Sequence, residues 1–124
     1  MADKTLKFRR ELADLILAGH KNVTWRLFDD KSLSEGDVVD LLIWGMLEKF
    51  ATAHLIEVRE KRMGELVEHD FEGHEKFAST EEIYRTYSTY YGRPVDADTR
   101  AKIIRFRLVP SSRREEQVRE VDPV

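Results

Sequence analysis

Val23, Trp25 and Leu27 alternate with Asn22, Thr24 and Arg26 in the stretch HKNVTWRLF, and a period of two puts the sets on opposite faces of a strand. The apolar set can bury in a core. The polar set forms a row carrying an amide, a hydroxyl and a guanidinium. Lys4–Phe8, just upstream, also reads as a short strand. Arg9–Ala18 then reads as a helix, because Leu12, Leu15 and Ile16 follow Phe8 at helical spacing. Gly19 stands where a left-handed helix cap belongs, which predicts a stop there.

Beyond the polar turn DDKSLSEGD (29–37), Val38–Trp44 is rich in β-branched and aromatic residues and predicts a buried strand. Phe50–Arg59 predicts the next strand, so 38–59 reads as a hairpin with a loose connection at 45–48. Residues 60–78 are polar and acidic, broken by Gly64 and Gly73, and give no clear period. Ser79 and Glu82 then have the S-x-x-E spacing of a helix start. Ile83, Tyr84, Tyr87, Tyr90 and Tyr91 follow on one stripe until Gly92-Arg93-Pro94 ends it. Tyrosines at that spacing pack against a sheet more often than they stack on bases. Thr99–Leu108 predicts the last strand, with Ile104, Phe106 and Leu108 alternating against Arg105 and Arg107.

Five or six strands with two helices, mostly without crossover helices between strands, exclude a doubly wound parallel sheet. The expected fold is α+β: a small, mostly antiparallel β-barrel with two main helices packed at its ends. One domain is expected over residues 1–110, with a mobile, charged tail at 111–124.

Composition narrows the function. The chain has 124 residues, 41% apolar and 36% charged, which suits one folded domain. No apolar run approaches the roughly 20 residues that span a bilayer, and the first residues lack a signal peptide's apolar region, so no membrane partner and a cytoplasmic location are expected. With no cysteine, thiolate catalysis and cysteine-bound metals are excluded. A net charge of −3 argues against a protein that coats nucleic acid. Basic residues nevertheless cluster in KFRR (7–10), VREKR (58–62) and RAKIIRFR (100–107). On adjacent strands they would form a basic wall containing Arg59 and Arg105; the simpler alternative is solvated faces balanced by acids.

The stretch HDFEGHE (69–75) offers carboxylates and imidazoles, but its spacing matches no metal signature; the simpler reading is a solvated acidic loop, and neither a metal nor another cofactor is expected. His20 and His54 are isolated. More informative is Lys21-x-x-Thr24-x-Arg26. A threonine hydroxyl becomes a nucleophile only when a base takes its proton. A lysine can be that base if burial and a nearby cation lower its pKa.

Gly19-x-Lys21-x-x-Thr24-x-Arg26, on a strand after an ILAG helix end, resembles the G-x-K-x-x-T-x-R signature of the ASCH (activating signal cointegrator homology) domain family. Glu75-Lys76-Phe77-Ala78-Ser79 before the second helix resembles the family's E-G-F-x-S element, with Lys76 in place of its glycine, and the EGD turn at 35–37 also fits. The resemblance implies a PUA-like β-barrel and a cleft that binds RNA or a modified nucleoside, lined by Gly19 and Arg26 and, from the basic strands, Arg59 and Arg105. Similarity to the small N4-acetylcytidine amidohydrolases of the family implies a catalytic set of Lys21, Thr24 and Glu75, with Glu72 the alternative carboxylate. Ribonuclease activity is a weaker expectation, since no pair of histidines is placed for it.

Overall fold

The computed structural model describes residues 4–28, 31–46 and 48–110. The tail expected at 111–124 lies outside the described residues. Five strands run in the order β1-β3-β4-β5-β2: β1 (Lys4–Phe8), β2 (Val23–Leu27), β3 (Val38–Ile43), β4 (Glu48–Arg62) and β5 (Arg100–Leu108). Among the described residues three α-helices accompany them: α1 (Arg10–Leu17), the four-residue α2 (Glu68–Phe71) and α3 (Thr80–Tyr91), with a 3-10 turn at Met63–Glu65. β1 pairs with β3 in parallel, and every other pairing is antiparallel.

This is an α+β fold in which the sheet curls into a half-barrel. Register shifts at Leu41/Leu42 and Leu55/Glu57 fall on both sides of the long strand β4, where irregularities bend and twist a strand. β4 has 15 residues, running past the expected end at Arg59 to Arg62, because β5 supplies ladder partners out to Arg100.

Two cores flank the sheet. One joins Leu6, Phe8, Val39, Leu41, Leu55, Ile104 and Phe106 with Ile16 of α1. The other joins Val23, Trp25, Leu27, Ala101 and Ile103 with Ile83 and Tyr87 of α3. Alternation along β5 sends Ile104 and Phe106 to the first and Ile103 to the second, so both faces of this strand are buried. The ends of α3 follow the sequence reading. Ser79 Oγ accepts from Glu82 N at 3.1 Å, and Gly92 caps the C-terminus at φ 67°.

The sheet has two edges, β1 and β2, and no ladder joins them among the described residues. Side chains bridge this seam instead. Arg26 Nη2 donates to the carbonyl of Lys7 at 2.6 Å, and Lys31 Nζ to that of Thr5 at 2.7 Å. The Arg26 guanidinium lies 4.5 Å from the centre of the Phe8 ring, a cation–π distance. Among the described residues no helix is long and apolar enough to cross a membrane.

Candidate functional site

A cleft of about 300 Å³ opens at the seam, between Lys7 and Phe8 of β1, Thr24–Arg26 of β2 and Tyr87, Tyr90 and Tyr91 of α3. Its floor starts at the end of α1. Gly19 takes φ 85°, and the bonds Gly19 N–Ile16 O (3.1 Å) and His20 N–Leu15 O (2.8 Å) close the helix. The reversal delivers Lys21 into the interior, where its side chain is 1% exposed. Gly19 itself does not line the cleft; it aims the residue that does.

Lys21 Nζ donates to the carbonyl of Val23 at 2.6 Å and to Glu75 Oε1 at 2.5 Å. Burial lowers the Lys21 pKa, Glu75 opposes that, and the Arg26 cation adds to it. Burial, the largest influence, pushes the Glu75 carboxyl up, but the Lys21 ammonium, His74 and the hydrogen bonds to the carboxylate together bring the net shift downward. The resting pair is therefore ionic, with an ammonium that gives up its proton more easily than a free lysine. Thr24 is buried on β2, and its Oγ1 accepts from Arg26 Nε at 3.2 Å. A donor aimed at that oxygen stabilises developing negative charge there.

The wall bearing Glu75 is fastened by backbone. The Gly73 carbonyl accepts from Asn22 N at 2.8 Å and Val23 N at 3.1 Å, tying residue 73 to the start of β2. Gly73 has φ 85°, and a Cβ there would lie 1.7 Å from Asn22 Oδ1, so only glycine fits. His74 follows, its ring stacked on Trp25 with centroids 3.7 Å apart. His74 Nδ1 lies 2.8 Å from the Glu75 carbonyl and Nε2 lies 3.0 Å from the Tyr87 hydroxyl. A carbonyl only accepts, so Nδ1 carries the hydrogen and Nε2 accepts from Tyr87. Burial, then the Lys21 charge, lowers the His74 pKa to about 4, which keeps the ring neutral. Burial also raises the Tyr87 pKa well above the phenolic range, so the hydroxyl keeps its proton.

The stretch 69–75 is thus no solvated acidic loop, since Asp70 and His74 turn inward. Asp70 is fully buried, its Oδ2 accepting from Lys61 Nζ at 2.7 Å and Val67 N at 2.9 Å, while its carbonyl accepts from Trp25 Nε1 at 3.1 Å. Phe71 stands edge-on to Trp25 at 5.1 Å, and Phe77 stacks on it at 6.3 Å. Glu72, the alternative carboxylate, is exposed, 3.5 Å from His69 Nδ1 and outside the cleft.

Of the residues read from sequence, Lys21, Thr24, Arg26 and Glu75 meet in one cleft. Arg59 and Arg105 do not reach it. They sit on the neighbouring strands β4 and β5 and both bind Glu57, at 2.7 and 3.2 Å, while Arg105 Nη2 donates to the His69 carbonyl at 2.8 Å. The basic wall is therefore balanced by an acid in its midst. Sequence reasoning saw Lys7 and Arg9 only as part of the basic run KFRR and His74 only as a possible metal ligand, and it missed the cleft-lining Trp44 and Lys31. Phe71 inside the polar run and Phe77 just beyond it were the available sign that 69–75 turns inward.

Solved structures provide a comparison for this arrangement. The chain is similar to the ASCH domain from Lactobacillus crispatus (TM-score 0.63, 16% identity, 86% of this chain and 80% of that one). It is also similar to a DUF984 protein from Enterococcus faecalis (TM-score 0.67, 18% identity, 86% and 72%). A mutant ASCH protein from Zymomonas mobilis matches at a TM-score of 0.59 and 16% identity, covering 100% of this chain and 84% of that one. No protein-family model and no curated protein sequence matches. The half-barrel with its helices is therefore the α+β, PUA-like fold of the ASCH domain.

Proposed function

We propose that this chain is an ASCH-domain protein that binds a modified nucleoside in the seam cleft and hydrolyses an acyl group from its exocyclic amine, N4-acetylcytidine being the substrate that the sequence resemblance implies. The observation that carries the reading is the buried Lys21–Glu75 contact at 2.5 Å on the floor of a cleft that also holds Thr24. A nucleoside fits better than a nucleic-acid strand for two reasons. The cleft, at about 300 Å³, is at the small end of ligand sites. Of the basic residues on β4 and β5, Arg59, Lys61 and Arg105 are already bound to Glu57 and Asp70 rather than turned toward a backbone.

In this mechanism Lys21 passes its extra proton to Glu75 across their short contact and becomes a neutral amine. It takes the Thr24 proton as Oγ1 attacks the acyl carbon, and Arg26 steadies the resulting oxyanion. Glu75 then protonates the leaving nitrogen as the C–N bond breaks. Water, deprotonated within the same pair, attacks the threonyl ester and releases acetate and the free hydroxyl. One amide and one water give one amine and one acid.

The test is incubation of the purified chain with N4-acetylcytidine, with cytidine formation followed by chromatography. Turnover is expected in the native chain, with a loss of at least about a hundredfold in Thr24→Ala, Lys21→Met and Glu75→Gln. A second reading, a module that binds the nucleoside without turnover, is favoured by one observation: Lys21 rests as an ammonium already donating to Val23 and Glu75. Binding without turnover would select it, and absence of both would sink the pair.

A further inference from the structure

Resting on that reading, the hydrogens at one corner of the cleft decide which ligand atoms fit there. Tyr87 lines the cleft although it is only 4% exposed. Trp25 and Tyr91 stack on its ring with centroids at 5.8 and 6.3 Å, and Tyr90 stands edge-on at 5.5 Å. A ring packed on three sides holds its hydroxyl in one place, 3.0 Å from His74 Nε2.

His74 leaves that hydroxyl one orientation. Nδ1 faces two oxygens that only accept, the Glu75 carbonyl at 2.8 Å and the Glu75 carboxylate at 3.4 Å. The hydrogen of the neutral ring therefore sits on Nδ1, and Nε2 offers a lone pair. The single hydrogen of the Tyr87 hydroxyl is committed to that lone pair. Lone pairs alone remain on its oxygen, and among the described residues no donor reaches them. Through the His74 ring, the same corner also holds Glu75, the group that protonates the leaving nitrogen.

We propose that Tyr87 is the specificity residue of the cleft, accepting the N–H of the secondary amide that is cleaved, and that His74 is the positioning residue that keeps it an acceptor. An acylated exocyclic amine carries one N–H and the free amine of the product carries two, so both satisfy the oxygen. A carbonyl or an ester oxygen at that position would set lone pair against lone pair, and a fully substituted nitrogen would leave the hydroxyl unmatched. A site built around a ligand N–H rejects the analogue that lacks it more strongly than an apolar pocket rejects a change of size.

Calorimetric titration of the full chain with cytidine and with uridine tests this. The two present an amine and a carbonyl at the exocyclic position, and neither carries an acyl group to be turned over. The native chain is expected to prefer cytidine by on the order of tenfold. Uridine also carries a proton at N3, so two variants, not the native ratio alone, assign the difference to Tyr87. Tyr87→Phe removes the acceptor, and cytidine should weaken by about tenfold while uridine holds. His74→Asn keeps an N–H near the place of Nδ1 but removes Nε2, so the Tyr87 hydrogen is free to turn into the cleft. Uridine should then gain by about threefold or more while cytidine holds. Damage to the fold would weaken both nucleosides alike, so the ratio within each variant separates this role from a structural one. Equal affinity in the native chain, or a ratio that both variants leave unchanged, would overturn the assignment while the nucleoside cleft stands. Failure of the native chain to bind either nucleoside would overturn the nucleoside reading and the assignment with it.

Discussion

The two cores beside the sheet are built from different materials. The α1 side is aliphatic and phenylalanine-rich. The α3 side surrounds Trp25 with Phe71, Phe77 and Tyr87 and admits His74 into the stack. Apolar burial has no direction and tolerates repacking, so the first core can hold the fold without fixing any one atom. A ring held by two hydrogen bonds and a stack has a direction, and the second core transmits it to Glu75. One strand, β5, serves both. Stability and site geometry are thus divided between the faces of a single sheet.

The largest effect should come from the aliphatic side. Phe106→Ala removes a nearly fully buried ring and should cost about 3–5 kcal/mol in denaturant unfolding. If the variant still folds, it should bind cytidine as the native chain does; altered binding would break the division of labour.

Acid should strike the other side. The folded His74 pKa, about 4, lies below the ordinary 6.5, so the unfolded chain binds more protons in that interval. The stability from a neutral His74 is complete above pH 6.5, falls as the pH drops, and is fully lost below about 4, a change of about 3 kcal/mol. His74→Phe should flatten that slope in unfolding titrations. An unchanged slope would show that the ring is not what acid attacks.

Arg59→Ala should do least. Its partner Glu57 keeps Arg105 and His69, and an exposed ion pair is worth about 0–1 kcal/mol. Unfolding and cytidine titrations should both show little change; weakened binding would put β4 back into the site.

The sequence made the local elements legible. Alternation gave β2 and β5, helical spacing gave α1, and the Ser79 and Gly92 caps bounded α3. It made Lys21, Thr24 and Arg26 legible too, because a six-residue window places them. What it hid depends on distant partners. The parallel pairing of β1 with β3 is set by register between separated segments. The inward turn of 69–75 is set by Trp25 and Asn22, both remote in sequence, and by Lys61 on β4, so charged letters there read as solvated. Arg59 and Arg105 were misdirecting for the same reason: their charge was visible and the carboxylate shared between them was not.

The fastening of Gly73 to Asn22 and Val23 has a bearing on how this chain can change over generations. The bond is made by main-chain atoms, so the exposed Glu72 beside it can drift to other residues without disturbing the cleft. Length cannot drift in the same way. Glu75 stands two residues beyond the fastened carbonyl, and one inserted or deleted residue would swing its carboxylate out of reach of Lys21. In descendants of this chain the spacing from Gly73 to Glu75 should outlast most of the letters around it.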